Sequence, residues 1–210
     1  MSGFITFEGG EGAGKSSLVQ EMARRLQAGG LAVRTTREPG GTPIAEQIRG
    51  LLLDTSSNED MDDDAELLLM FAARAQHLHG VIRPALEQGQ WVLCDRFTDA
   101  TRAYQGYGRG RSLSWINQIA TRIHGDTEPD LTLLLDIAPE AGLQRALRER
   151  QADRMEAASV TFHQRVRSGY LALADAHPER ILVLDATQSQ AAVAEQAWHA
   201  IETRLLRPSA

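Results

Sequence analysis

Five short apolar runs, separated by longer stretches with apolar residues three or four apart, organise the chain. Phe4-Ile5-Thr6-Phe7, Ala32 to Thr36, Trp91 to Cys94, Leu131 to Leu135 and Ile181 to Leu184 each read as a β-strand. Several are apolar almost throughout, the pattern of a strand covered on both faces. Leu18 to Leu26 has helical spacing and stops at Gly29-Gly30. A longer helical stretch runs from about Ala65 to Glu87, interrupted or ended near Pro84. The turn-forming Glu128-Pro129-Asp130 leads into the fourth run. Strands alternating with helices predict βαβ units. The expected fold is a three-layer α/β/α sandwich: a five-stranded parallel sheet with helices on both faces. There is no repeat, low-complexity tract or linker, so residues 1–210 are expected to form a single domain.

Composition narrows the setting. Hydrophobic residues make up 42% and charged residues 24%, enough for a full core. No apolar run approaches the roughly 20 residues that cross a bilayer. Met1-Ser2-Gly3-Phe4 lacks a basic region followed by an apolar stretch, so no signal peptide is expected. Cys94 is the single cysteine and lies in an apolar run, as a buried, inert thiol would. A cytoplasmic protein without a membrane partner is expected. The net charge of −6 argues against a general nucleic-acid surface but leaves room for small anions read by local charges. The acidic run Glu59, Asp60, Asp62, Asp63, Asp64 reads as a solvated loop entering a helix N-terminus. Gly106-Tyr107-Gly108-Arg109-Gly110-Arg111 is too short for a disordered arginine-glycine tract and reads as a flexible loop. Of the 22 basic residues only Lys15 is a lysine.

That lysine closes the sharpest motif. Gly9-Gly10-Glu11-Gly12-Ala13-Gly14-Lys15-Ser16, followed by Ser17, satisfies G-x-x-x-x-G-K-[ST] between a strand and a helix. Glycines let the backbone curl so that several N–H groups face phosphate oxygens. The helix adds its positive end. Lys15 supplies a compact charge for β- and γ-phosphates, and the Ser16 hydroxyl can bind Mg²⁺. Glu11 is unexpected there. A carboxylate about 6 Å from a phosphate charge costs about 3 kcal/mol at an effective dielectric of 20. Either Glu11 points to solvent or it accepts a hydrogen bond that offsets the repulsion, and a sugar hydroxyl is one such donor. Asp95 ends an apolar strand, where a carboxylate can reach the same Mg²⁺ or its waters.

Arg37-Glu38-Pro39-Gly40-Gly41-Thr42, Phe71-Ala72-Ala73-Arg74, Asp95-Arg96-Phe97, Ala103-Tyr104-Gln105-Gly106, Pro129-Asp130-Leu131-Thr132 and Asp153-Arg154 follow in order. With the phosphate loop they make the whole chain resemble the bacterial-type thymidylate kinases, of the P-loop nucleoside-monophosphate kinase superfamily. The resemblance implies ATP-dependent phosphorylation of dTMP to dTDP with Mg²⁺, a short mobile lid near 145–155, and a homodimer through the long middle helices. It implies that Gly10 to Ser17 hold ATP. It assigns Phe71 to stacking on thymine, Arg74 to the edge of the base, and Thr101 and Gln105 to further base contacts. Tyr104 would crowd a ribose 2′-hydroxyl. Arg96 would bind the acceptor phosphate, with Arg49 as a second candidate. Glu38, with Pro39, would face the acceptor or the Mg²⁺ waters. Gly10 to Ala13 carry no basic residue, so the extra charge at the transferring group would come from the lid. Arg148, Arg150 and Arg154 are the candidates, from a run that also holds Arg145.

The acceptor phosphate is already a nucleophile, so the chemistry needs no general base. His77 and His79 are two apart on a helix and face different ways, against a metal site. A GTPase would usually need Asn-Lys-x-Asp, which a chain with one lysine lacks. A kinase for another nucleotide acceptor and a non-catalytic ATP-binding regulator remain the alternatives.

Overall fold

A computed structural model describes residues 2–56, 59–148 and 153–206. All five expected strands form: β1 (Phe4–Gly9), β2 (Val33–Arg37), β3 (Trp91–Asp95), β4 (Leu131–Asp136) and β5 (Ile181–Asp185). They pair in parallel in the order β2-β3-β1-β4-β5. Phe7 lies opposite Asp95 and Gly9 opposite Leu135. The strand order therefore reverses at β1, and the chain leaving β1 opens a crevice at the carboxyl ends of its neighbours.

The helices are α1 (Lys15–Ala28), α2 (Pro43–Leu53), α3 (Asp63–His77), α4 (Arg83–Glu87), α5 (Thr98–Thr101), α6 (Leu113–His124), α7 (Pro139–Ala146), α8 (Val160–Ala176) and α9 (Gln190–Ile201). On one face Leu18, Met22 and Leu26 of α1 and Val193, Ala197 and Ile201 of α9 pack on Ile5, Phe7, Leu133 and Leu135 of the sheet. On the other, Phe162, Val166 and Tyr170 of α8 pack with Ala103, Tyr104 and Leu134. Each set recurs every three or four residues along its helix, which is why these segments are amphipathic helices. No helix among the described residues is long and apolar enough to cross a membrane.

The long helical stretch is interrupted near Pro84 rather than ended there: a π-turn at Leu78–Ile82 precedes α4, placing Pro84 within its first two residues. There a missing N–H costs little. The stretch read as a flexible loop is instead ordered. Arg102–Gly108 forms a second π-turn continuing α5, and Arg111 donates to Asp64 at 3.0 Å and Asp63 at 3.3 Å. Asp62 caps α3 by accepting from Asp64 N. The acidic run is thus partly a cap and partly the counter-charge of the Gly-Arg stretch. Cys94 is buried, and burial pushes its thiol up.

The helix after β4 meets the loop after β1 at bare backbone. A Cβ on Gly142 would stand 2.3 Å from the Glu11 carbonyl oxygen, and one on Gly12 2.0 Å from that of Gly142. Gly142→Ala sets two effects against each other. Helix propensity favours alanine by about 1 kcal/mol. Overpacking against backbone that has no rotamer to change costs about 3 kcal/mol. The clash wins, and thermal unfolding should show a net loss of about 2 kcal/mol.

Glu8 lies in the core of β1, fully buried. It accepts from Phe97 N at 2.7 Å and from the Tyr170 hydroxyl at 2.8 Å. Burial, helped by the nearby Asp99 charge, lifts its carboxyl from the ordinary 4.5 to about 7. The native protein then keeps a proton that the unfolded chain releases, so stability falls as pH rises from about 4.5 to about 7, by about 3 kcal/mol. Glu8→Gln, a neutral mimic of the protonated form, should flatten that part of the curve of melting temperature against pH. An unchanged slope would contradict the assignment.

Candidate active site

The phosphate loop forms as its glycines require. Gly9, Gly12 and Gly14 have φ of 134°, 65° and 93°, a region that side chains resist. Gly14 precedes α1, whose first residues are Lys15, Ser16 and Ser17. Lys15 folds back along the loop and donates to the Gly10 carbonyl at 2.7 Å and that of Gly9 at 3.2 Å. Burial, with the Arg96 charge nearby, draws its pKa below the ordinary 10.5. Anionic oxygens in the loop would relieve that desolvation. Ser16 donates to Asp95 Oδ2 at 2.8 Å, so a hydroxyl and a carboxylate converge beside the loop. Oxygen donors of this kind, few in number, suit Mg²⁺, which keeps much of its shell as water and phosphate.

Arg96 follows Asp95 in a left-handed conformation, φ 69°, the one non-glycine residue with positive φ among those described. Two hydrogen bonds impose it: Arg96 N donates to Phe7 O at 2.9 Å, and Phe97 N to Glu8. The turn aims the guanidinium back over the loop. It donates to Gly9 O at 2.9 Å, to the Tyr170 hydroxyl at 3.2 Å and to Glu11 Oε1 at 2.5 Å, and lies over the Tyr104 ring. Tyr104 donates to the same Glu11 oxygen at 3.0 Å. Glu11 therefore does not simply face solvent. It is drawn inward by a cation and a phenol.

Behind this junction lies a cavity between α2, α3 and the α5 segment. Arg74 is fixed in three directions: to Glu38 Oε2 at 2.7 Å, Thr101 Oγ1 at 3.0 Å and the Phe97 carbonyl at 3.0 Å. Glu38 also binds His77 Nδ1 at 2.9 Å, and His77 Nε2 meets the Thr36 hydroxyl at 2.6 Å. Burial would raise the Glu38 carboxyl, but Arg74 and His77 outweigh it and hold it below 4.5. Gly41 is bare because a Cβ there would come within 2.6 Å of the His77 ring. Pro39, Arg49, Tyr104 and Gln105 line the same cavity, and Arg49 donates to the Pro39 carbonyl at 3.0 Å. Phe71 sits elsewhere. It is 2% exposed, packed among Leu67, Ile116 and Ala120, with the Arg74 guanidinium over its ring. In this structure it supports Arg74 from behind, and Met70 is the α3 neighbour that lines the cavity.

The larger cleft, about 1160 Å³, runs from the phosphate loop to α9. Arg148 lines it, and so does Arg145, whose guanidinium donates to the Ala186 carbonyl at 3.1 Å. Arg150 lies outside the described residues. Arg154 is not among the residues lining this cleft: it donates to Glu66 Oε2 at 2.6 Å and to the Leu52 carbonyl at 2.8 Å. Sequence reasoning also missed Glu8, Glu66, His77 and Tyr170. Each acts through a partner distant in sequence, and no local spacing signals that.

A sequence model of the family described as thymidylate kinase matches residues 7–197. The thymidylate kinase of Magnetococcus marinus is 50% identical over 202 residues, 96% of each chain. That of Pseudomonas putida is 56% identical over 194 residues, 92% of each. The crystal structure of thymidylate kinase from Ehrlichia chaffeensis superposes with a TM-score of 0.77 at 34% identity, over 95% of this chain and 98% of that one. A chain that carries a phosphate loop beside a second, arginine-lined cavity thus matches these enzymes in sequence and in fold over nearly its whole length, and it belongs to the thymidylate kinase family.

Proposed function

We propose that the chain, working as one domain, transfers the γ-phosphate of ATP to dTMP with Mg²⁺. One observation carries this reading. The phosphate-loop cleft and the acceptor cavity meet, and the residues common to both are Glu11, Glu38, Arg49 and Arg96. Two anions brought together there face guanidinium groups. An oxygen of the acceptor phosphate attacks the γ-phosphorus in line, the bond to the β-phosphate oxygen breaks, and ADP leaves with that electron pair. No side chain needs to take a proton.

Lys15 exchanges its two carbonyl partners for the β- and γ-phosphates, and Gly10 to Ser17 offer backbone N–H groups. Arg96, with Arg49 beside it, holds the acceptor phosphate. Arg148 faces the donor cleft and, with Arg150, offsets charge on the transferring group. When bound, Mg²⁺ would neutralise donor phosphate charge beside Ser16 and Asp95. Thr101, Gln105 and Arg74 read the base. Tyr104, fixed by Glu11, occupies the space a ribose 2′-hydroxyl would need. Ile44 and Leu51, seven apart on α2, and Leu68 on α3 are exposed apolar residues that support a homodimer through these helices.

Lys15→Met keeps the length of the buried side chain and removes its charge. We expect the fold to persist in circular dichroism while kcat falls by about 100-fold or more. A coupled ADP assay comparing dTMP, dUMP, dCMP and AMP tests the acceptor. Folded protein that binds ATP but turns over none of them would instead be an ATP-binding regulator.

A further inference from the structure

Gln105 is fully buried and its amide is half used. Nε2 donates to Glu66 Oε1 at 2.8 Å, whereas Oε1 has no hydrogen-bond partner among the described residues. A buried amide oxygen left so costs about 1–3 kcal/mol unless something donates to it. Gln105 lines the acceptor cavity, and Glu66 does not.

Glu66 is itself fully buried at the start of α3. Arg109 donates to it at 3.2 Å and Arg154 at 2.6 Å. Burial would raise its carboxyl, but the Gln105 hydrogen bond and the two guanidinium groups outweigh that and hold it ionised. An ionised carboxylate only accepts. The Gln105 amide must therefore turn its NH₂ toward Glu66, which leaves its oxygen as the unpartnered acceptor of a side chain that lines the cavity. A neutral partner such as glutamine would allow either orientation.

We propose that Glu66 is a positioning residue for base specificity: by fixing the Gln105 amide, it makes the acceptor cavity require a ring N–H, as in a pyrimidine-2,4-dione, and reject cytosine. Thymine and uracil carry a hydrogen at N3, which the Gln105 oxygen can accept. Cytosine presents a lone pair at N3, which meets that oxygen as like against like. Arg74, on the same cavity, has no acceptor for cytosine's amine either. Arg154 and Arg109 act at one remove, as the charges that keep Glu66 ionised.

This rests on dTMP being the acceptor, and the experiment separates the two ideas. The quantity is the ratio of kcat/KM for dTMP to that for dCMP, with KM for ATP and melting temperature measured alongside. In E66Q the amide is free to turn, and the ratio should fall about tenfold or more at an unchanged KM for ATP. E66D keeps a negative charge between Arg109 and Arg154 but withdraws its oxygen from Gln105. The ratio should fall there too, which secures the test if E66Q does not fold. An unchanged ratio in either folded variant overturns the role of Glu66, provided the wild type turns over dTMP. A wild type that does not phosphorylate dTMP overturns the reading beneath it.

Discussion

The site depends on one guanidinium, held by the Glu11 carboxylate, the Gly9 carbonyl and the Tyr170 hydroxyl. Arg96 bridges from the turn after β3 to Glu11 on the phosphate loop, and the backbone N–H that follows it is gripped by Glu8. A non-glycine residue in the left-handed region costs of order 1–3 kcal/mol and persists only where its surroundings over-determine it. Here the sheet supplies one constraint, the Phe7 carbonyl, and the buried Glu8 supplies another. Removing one partner of a buried ion pair costs about 3–5 kcal/mol, so Glu11 and Arg96 fix each other in place. The cation that would meet an incoming phosphate is therefore set before any ligand arrives.

Topology explains why these groups meet. β1 lies between β3 and β4, so the phosphate loop emerges beside Asp95 on one side and Leu135 on the other. The α5 segment turns back over the sheet and carries Thr101, Tyr104 and Gln105 toward α3, which contributes Arg74. The segment after β2 threads between them. Gly40 and Gly41 take φ of 139° and 85° so that Glu38 can reach Arg74 and His77. A phosphate-loop cleft and a second cavity meeting at two carboxylates and two guanidiniums follow from that strand order.

Much of this was legible in the chain itself. β1, β3 and β4 announce themselves because buried parallel strands are apolar on both faces, and the phosphate loop because glycine and lysine have few substitutes there. The π-turns were not legible, since a widened turn leaves no mark on residue spacing beyond the proline it accommodates. The Gly-Arg stretch looked flexible in isolation, and only the fold brings Asp63, Asp64 and Glu66 against it. Arg154 sits in an arginine-rich run whose members look alike, yet its guanidinium goes to a carboxylate 88 positions away. Glu8 passes for a loop-edge acid until β1 is seen to run past it to Gly9.

The central claim is direct transfer between two bound anions, with no group on the protein taking the phosphoryl in between. The stereochemical course of the reaction tests this most directly. ATP made chiral at the γ-phosphorus with oxygen isotopes should yield dTDP with inverted configuration, as a single in-line displacement requires. Retention would mean an even number of transfers through a phosphorylated side chain, and would contradict the account.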